Sequence, residues 1–369
     1  MQKIFLFGMI KSFLLVSLVH CQHDNRNLEK FVSSMAGDIA KSYVAPLVSG
    51  FGSSLNSGWF HRTPAAKKFG FNLEIGIVGM ATPFSKRDKT FSASSTTRLD
   101  STQAAAITSF IYANPAFNGL TAEQLYAIQQ QLIQQITASA VGIRATGATA
   151  AGSETDSLRL RYAGADVTYL DPRDNQTHTI SLSTSGLQAT LPVTGLGLPL
   201  VGLAAFQITV GTVYGTQFTF RFLPPRKSDK EIGNFNYFGW GFQHNPAIWS
   251  EKKLPVDLSI AMFTQTMRQG NFFEMRASAI GFTAGKQYGK RLLNFSPYAG
   301  LMFEKSYMKF TYDYLDAAGQ SERISIKLNG ENQIRFTVGA SMRILIGNLN
   351  VDYSFAQFSA YSAGLTFAL

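Results

Sequence analysis

The side chains that could do chemistry are few and scattered. Histidine and cysteine most often bind metals or activate nucleophiles, and the chain has five of the first and one of the second: His20, His23, His61, His178, His244 and Cys21. These residues lack the spacing of metal ligands. His244, Asn245 and Ser250 are the residue types of a Ser-His-Asn hydrolase, but their spacing favours a turn between strands. The sequence therefore predicts no enzyme, no catalytic residue, no metal site and no cofactor.

Charged side chains are the second candidate group, because several alternate with apolar residues along short runs. Residues i and i+2 of an extended strand share a face, so such charges lie opposite the apolar side chains. A charged face is tolerated where water or partners reach the lumen of a barrel. The side chains predicted to face a lumen are Arg221, Glu274, Arg276, Arg335 and Arg343. We expect most of them to be structural and a minority to touch a substrate.

The elements that must position these charges are clearest at the end of the chain. In 349–355 apolar and polar residues alternate strictly, and the pattern restarts after Phe358. Lipid outside and water inside impose this period of two on the strands of a membrane barrel. Gly364, Phe367 and Leu369 also resemble the C-terminal signal that outer-membrane barrels present to their insertion machinery, with Leu369 in place of the commoner aromatic. The edge strand of a soluble β-sandwich is the alternative.

Similar alternating runs continue along most of the chain. About fourteen can be counted from Phe69 onward, and twelve is the alternative because two pairs of runs can each be one strand. Past the N-terminus no apolar run approaches the roughly 20 residues of a spanning helix. The sequence thus predicts an all-β transmembrane antiparallel β-barrel at 69–369. It also predicts a long, partly helical loop at 83–156, whose helix starts at a capping box of Thr121 and Gln124 and packs on its own loop rather than on a substrate.

The N-terminus and the charge indicate where the chain resides. Residues 1–21 are typical of a secretory signal peptide, with Lys3 and Lys11 before a short apolar core, and lipidation of Cys21 is the alternative to simple cleavage. The formal net charge of +10 is scattered rather than gathered in a patch, which argues against nucleic acid. We expect a monomer in the bacterial outer membrane, with outer-membrane lipid and the barrel-insertion machinery as partners.

Residues 22–68 precede the first strand and do not alternate. Apolar residues recur at helical spacing from Phe31, and Phe51, Asn56 and Trp59 lie in a later stretch of small and aromatic residues. Such a stretch suits a segment packed closely inside a barrel. We predict an N-terminal helical plug in the lumen, and a periplasmic tail is the alternative.

Two resemblances add to this interpretation. The length, the signal peptide, the non-strand segment and the strand count are distantly similar to the outer-membrane transporters of long-chain fatty acids and other hydrophobic compounds. Particular runs resemble an uncharacterised family of outer-membrane barrels from Bacteroidota and relatives; these runs are 43–47, 55–59, 221–224, 352–353 and 362–364. In the transporter family a plug blocks the lumen and outer loops capture apolar cargo. The chain departs from that family in the start of the mature plug and in its large first loop, so no ligand-contact residue is carried over.

Three functions follow as expectations. The first is passive uptake of a hydrophobic small-molecule ligand. The second is a non-catalytic component or shuttle of a secretion or assembly system of the outer membrane. An outer-membrane hydrolase is a distant third.

Overall fold

The structure, a computed structural model, describes residues 26–99, 101–162, 166–181, 188–191, 193–226, 234–250, 254–271, 273–290, 293–315 and 321–368. The predicted signal peptide at 1–21, Cys21 and Leu369 lie outside these residues. The described residues form two compact units, 26–44 with 86–197 and 45–85 with 198–368.

The helices are α1 Arg26–Asn56, α2 Ser101–Thr108 and α3 Ala122–Ala138. The strands are β1 Phe69–Pro83, β2 Thr90–Arg98, β3 Ala140–Ala148, β4 Leu158–Tyr162, β5 Asp166–Asp171, β6 Gln176–Ser181, β7 Gln188–Leu191, β8 Leu200–Val213, β9 Thr216–Arg226, β10 Phe235–His244, β11 Asp257–Gln269, β12 Phe273–Gly285, β13 Tyr288–Lys290, β14 Leu293–Leu315, β15 Ser321–Asn329, β16 Ile334–Ile344, β17 Gly347–Phe355 and β18 Ala360–Ala368. None of the described helices is long and apolar enough to cross a membrane.

The second unit is a closed antiparallel β-barrel. Ten strands pair in the order β12-β11-β10-β9-β8-β1-β18-β17-β16-β14, and β14 pairs back onto β12. The closing register joins Phe273 to Phe310 and Gly285 to Tyr298. Closure leaves no exposed strand edge around the ring.

The two faces of the barrel wall differ in polarity, as the alternation predicts. Large apolar side chains are exposed on the outer face of every barrel strand, for example Ile77, Phe220, Trp240, Phe282 and Leu365. Glutamine, threonine, serine and arginine side chains are buried on the inner face together with small and aromatic residues. An apolar exterior around a polar interior is the arrangement of barrels that span membranes.

The predicted number of strands was wrong. Fourteen or twelve barrel strands were expected, but ten close the ring, and β13 and β15 belong to the same sheet without being part of it. Part of the surplus arose because β4 and β6 alternate like barrel strands yet belong to the first unit. Another part arose because β14 is one long strand where two runs were counted. The insertion between β1 and β8 is accordingly longer than the predicted loop at 83–156 and continues to residue 199.

The first unit has its own apolar core. Strands β2, β3, β4 and β7 form one sheet and β5 with β6 forms a hairpin. The predicted capping box of α3 is confirmed, with Thr121 and Gln124 bonded reciprocally. Ile128, Leu132 and Ile136 are buried in the core of this unit, so the helix packs on its own insertion as expected.

The ends of the barrel differ in the length of their connections. At one end, tight turns join β8 to β9 and β16 to β17, the first of them at Tyr214 and Gly215 with φ values of 46° and 69°. Two residues with positive φ match the twist of the paired strands. The longest connection at this end is 245–256, whereas residues 84–199 join β1 to β8 at the opposite end. We call the first the short-turn end and the second the long-loop end.

Candidate functional site: the segment inside the barrel

Residues 45–64, the internal segment, lie against the inner face of the barrel wall. The segment begins at the long-loop end, where Gly50 approaches Phe84 and Val201. At the short-turn end the backbone oxygen of Pro64 accepts a hydrogen bond of 2.7 Å from Asn245. The segment therefore runs through the barrel before β1 starts.

Small residues let the end of α1 approach the wall. A Cβ atom on Gly52 would overlap the side chain of Ser306, so only glycine fits there. Ser54 is fully buried and lies 2.9 Å from Thr82, hydroxyl to hydroxyl. Leu47, Val48 and Leu55 are also fully buried. The small residues therefore allow close contact between this part of α1 and the barrel wall, and a plugging role of the segment stays a prediction.

Arg335 on β16 holds the C-terminal turn of α1. Its Nη2 donates to the backbone oxygen of Ser53 at 2.8 Å, and Nη1 contacts the hydroxyl of Ser57. Its Nε donates to Glu304 on β14 at 2.8 Å, and both side chains are 1% exposed. The last carbonyl groups of a helix carry partial negative charge and lack helical partners. The arginine therefore serves both the buried carboxylate and the end of the helix.

Arg221 on β9 approaches the same turn from another side of the barrel. Its Nη1 donates to the backbone oxygen of Ser57 at 2.8 Å and its Nε to Gln207 at 2.8 Å. The guanidinium carbon lies 4.1 Å from the centre of the Trp59 ring. Arg221 is 0% exposed, and among the described residues no carboxylate forms an ion pair with it. The Ser57 carbonyl just after the helix, the Gln207 amide and the face of the Trp59 ring together stabilise this buried charge.

An aromatic cluster follows the helix. Trp59 stacks on Phe263 with ring centres 5.0 Å apart, and Phe60 meets Tyr298 edge to face at 5.7 Å. Gln265 donates to the backbone oxygen of Leu55 at 2.6 Å. Aromatic stacking and hydrogen bonds to backbone thus combine to fix the middle of the segment.

A buried carboxylate anchors the part of the internal segment that lies nearest the short-turn end. Glu74 on β1 lies 2.6 Å from Nε2 of His61 and 3.0 Å from Nη2 of Arg62. Next to this group, a pocket of about 130 Å³ opens at the short-turn end, and its lining includes Arg62, Lys67 and Lys286. Asp257 lines the same pocket, so the mouth of the barrel at the short-turn end is polar and carries both signs of charge.

The predicted lumen residues divide into two groups. Arg221 and Arg335 lie inside, on opposite sides of the segment. Arg343 is on the inner face at the short-turn end, half-buried, and donates to its own turn at Leu345. Among the predicted plug residues, Trp59 and Asn56 are buried and Phe51 is half-buried.

Glu274 and Arg276 do not face the lumen, contrary to the prediction. Both lie on the outer face of β12, while Met275 between them is buried inside. Polar residues indicate the inner face only where the outer face meets hydrocarbon. Beyond the apolar belt the outer face meets water or headgroups, and charges are favourable there.

The residues of the predicted insertion signal lie on the last strand. Phe367 is exposed on the outer face of β18 and Gly364 is on the inner face, beside Asn350. Recognition by the insertion machinery stays a prediction.

Three possible metal ligands meet in the first unit, in the β5–β6 hairpin. Atoms of Asp171, Asp174 and His178 lie within 4.8 Å of one another. However, Arg173 forms an ion pair of 2.6 Å with the Asp171 carboxylate, and its hydrogen bonds lower the pKa of Asp171 to about 2. Arg173 also donates to the backbone of Ala116. Arg173 therefore occupies the Asp171 carboxylate and bridges two loops, an arrangement that does not suit a metal ion.

Sequence reasoning missed the carboxylates that complete the site. Glu74 and Glu304 pair with His61 and Arg335 across 13 and 31 residues, and neither was a candidate. One signal was present, since each lies on the side of a run that alternation places inward.

Comparison with known proteins bears on the family. A model described as a family of unknown function, DUF6588, matches residues 1–369. The chain belongs to this family. No curated protein matches it in sequence. The resemblance to a Bacteroidota family and to fatty-acid transporters stays a prediction.

Three solved structures are similar to the chain at a low level. A loop L8 deletion mutant of OmpT, an outer membrane protein of Vibrio cholerae, is 8% identical with a TM-score of 0.22, covering 82% of this chain and 100% of its own. OccAB4 of Acinetobacter baumannii is 7% identical with a TM-score of 0.16, covering 82% and 99%. The FrpB iron transporter of Neisseria meningitidis is 8% identical with a TM-score of 0.15, covering 78% and 54%. Similarity at this level gives no information on the function of the chain.

Proposed function

We propose that this protein is an outer-membrane barrel whose lumen is closed at rest by the internal segment and which passes small molecules when that segment moves. The location is supported by the apolar exterior of all ten strands. The closure is supported by the buried contacts of Arg221 and Arg335 with the end of α1, which carry the proposal.

We further propose that the cargo is a small hydrophobic molecule, as the sequence suggested. Trp59, Phe60, Phe263, Tyr298 and Met302 form an apolar cluster inside the barrel. If Trp59 and Phe60 move out of the cluster together with the segment, the apolar residues that remain on the barrel wall leave a site suited to an apolar solute. A role in protein secretion is less favoured, because a ring of ten strands with one chain segment already inside is narrow.

Removing the segment tests the closure. A chain lacking residues 24–58 loses α1 and the residues directly after it, and with them Ser53 and Ser57, which accept hydrogen bonds from Arg221 and Arg335. We expect resolvable single-channel steps in planar lipid bilayers, where the full chain shows none under the same voltage. A chain lacking only 24–37 keeps the internal segment and should stay closed. Equal conductance in both deletion chains, with normal insertion, would reject the plug.

A reversible crosslink tests whether movement of the segment is required. Ser54→Cys with Thr82→Cys joins the segment to β1, because the two native hydroxyls lie 2.9 Å apart. We expect uptake of an apolar probe by cells to stop on oxidation and to return on reduction. Thr209→Cys with Thr219→Cys is the matched control, since it joins two wall strands through hydroxyls 3.2 Å apart. Uptake that persists in the oxidised Ser54–Thr82 pair would show that cargo does not need the segment to move.

A further inference from the structure

The outer face of the barrel changes from apolar to cationic at one register row. Strands β11, β12 and β14 are neighbours, and directly opposed residues share a face. The last apolar row consists of Met262, Ile280 and Phe303, and the row beyond it consists of Thr264, Ser278 and Lys305. The change therefore occurs at the same place on three adjacent strands, as expected at the edge of a lipid belt.

Basic side chains dominate the rows beyond this edge, where β15 joins the sheet. The most distant of the rows places Arg268, Glu274, Lys309 and Lys327 side by side across four strands. Arg276 opposes Tyr307 in the row between, and Lys305 stands nearest the belt. Within the described part of these rows there are five cationic side chains and one carboxylate. We call this group, with Tyr307, the basic rim.

The single carboxylate of the basic rim, Glu274, is shared among three side chains and does not neutralise the rim. Glu274 lies 3.2 Å from Arg268 and 2.6 Å from Arg276, and Tyr307 donates to it at 3.2 Å. Both arginines are nevertheless 49% exposed. The ammonium of Lys327 lies 4.0 Å from the centre of the Tyr307 ring, which holds a further charge over the same surface. One carboxylate cannot neutralise five cations, so the rim keeps an excess of positive charge.

We propose that the basic rim binds the phosphate groups of a membrane lipid whose acyl chains lie on the belt of Ile280, Phe282, Leu301 and Phe303. The inference rests on the proposed location in the outer membrane. A lipid with its tails on these residues places its headgroup at the level of Lys305 and Arg276. Guanidinium and ammonium groups recognise phosphate oxygens by charge-assisted hydrogen bonds, and arginine does so with two parallel bonds.

The position of the rim selects the class of lipid. It lies at the long-loop end, because β14 continues there into β15 and β11 ends there. In outer-membrane barrels long loops are extracellular and short turns are periplasmic. The leaflet in contact with the rim is then the outer one, where phosphorylated glycolipids are the anionic component.

The test uses the purified full-length chain and bisphosphorylated lipid A, with binding measured by native mass spectrometry from detergent. We expect Arg276→Gln, Lys305→Gln and Lys309→Gln together to weaken binding roughly 100-fold, since each basic side chain near an anionic lipid surface contributes a factor of about five. Lys67→Gln, Lys68→Gln and Lys286→Gln remove the same charge at the short-turn end and should change binding little. A mobility shift on heating in gel electrophoresis verifies that each variant is folded.

Three outcomes would overturn the inference. They are an equal loss in the two triple variants, equal binding of the glycolipid after removal of its phosphates, and displacement of the lipid by an equal concentration of inorganic phosphate. Failure here is separable from failure of the proposed closure. If the chain lacking 24–58 conducts but the triple variant of the rim binds lipid as the unmodified chain does, only the rim is rejected. If the triple variant loses lipid binding but the chain lacking 24–58 does not conduct, only the plug is rejected.

Discussion

Replacing Arg335 by methionine is expected to lower the free energy of unfolding by about 3–5 kcal/mol, the usual effect of breaking a buried ion pair. Methionine has a similar length but leaves the Glu304 carboxylate buried and unpaired. It also removes the donors to Ser53 and Ser57 at the end of α1. Urea-induced unfolding in detergent, followed by tryptophan fluorescence, measures the change.

Two further variants separate the causes of this loss. Arg335→Met with Glu304→Gln removes the uncompensated charge and should recover most of the stability. Arg276→Met breaks an ion pair on the outer face, where the arginine is 49% exposed, and should lose at most about 1 kcal/mol. If Arg335→Met and Arg276→Met lowered the free energy of unfolding equally little, the contacts of Arg335 with the internal segment would not stabilise the protein as we expect.

The second large effect is expected on the outer face, from Phe220→Arg. Phe220 is 37% exposed on β9 and pairs with Ile208 and Trp240 on the neighbouring strands, within the apolar belt. A charge near the midplane of the bilayer costs about 2–4 kcal/mol in a membrane barrel. The change is measured as the shift of the unfolding midpoint of the barrel refolded into lipid vesicles.

The control for this change is Ser278→Arg. Ser278 points outward as well, but it lies in the first row beyond the belt, opposite Lys305. Near the interface the same substitution should cost only about 0–1 kcal/mol. Similar losses at Phe220 and Ser278 would mean that the outer face does not contact hydrocarbon where we place the belt.

Much of the interior was predictable because its signals are local. Alternation assigned Arg221 and Arg335 to the inner face, and the small and aromatic residues around Trp59 indicated a packed segment. Their partners were not predictable, because Glu304 lies on a different strand from Arg335 and Ser53 lies on a helix 282 residues away. Which charge meets which depends on the register of strands that the local pattern does not specify.

Glu274 and Arg276 illustrate the opposite case. Their alternation with Met275 and Ala277 is as regular as that of the other barrel strands. Here, however, the apolar side chains point into the barrel and the charged ones point outward, because these residues lie beyond the apolar belt. Alternation reports that the two faces differ. The position of the residues along the barrel axis decides which of them meets lipid.

The sequence by itself determined that the chain forms antiparallel strands with one apolar and one polar face, because a strand places successive side chains on opposite sides whatever its partners are. It also predicted the capped helix at Thr121, since a capping box depends on residues within one turn. The number of strands was decided only by tertiary structure. β4 and β6 alternate like barrel strands, but whether a strand enters the ring depends on hydrogen bonds to distant partners, above all on the pairing of β12 with β14 that closes the barrel.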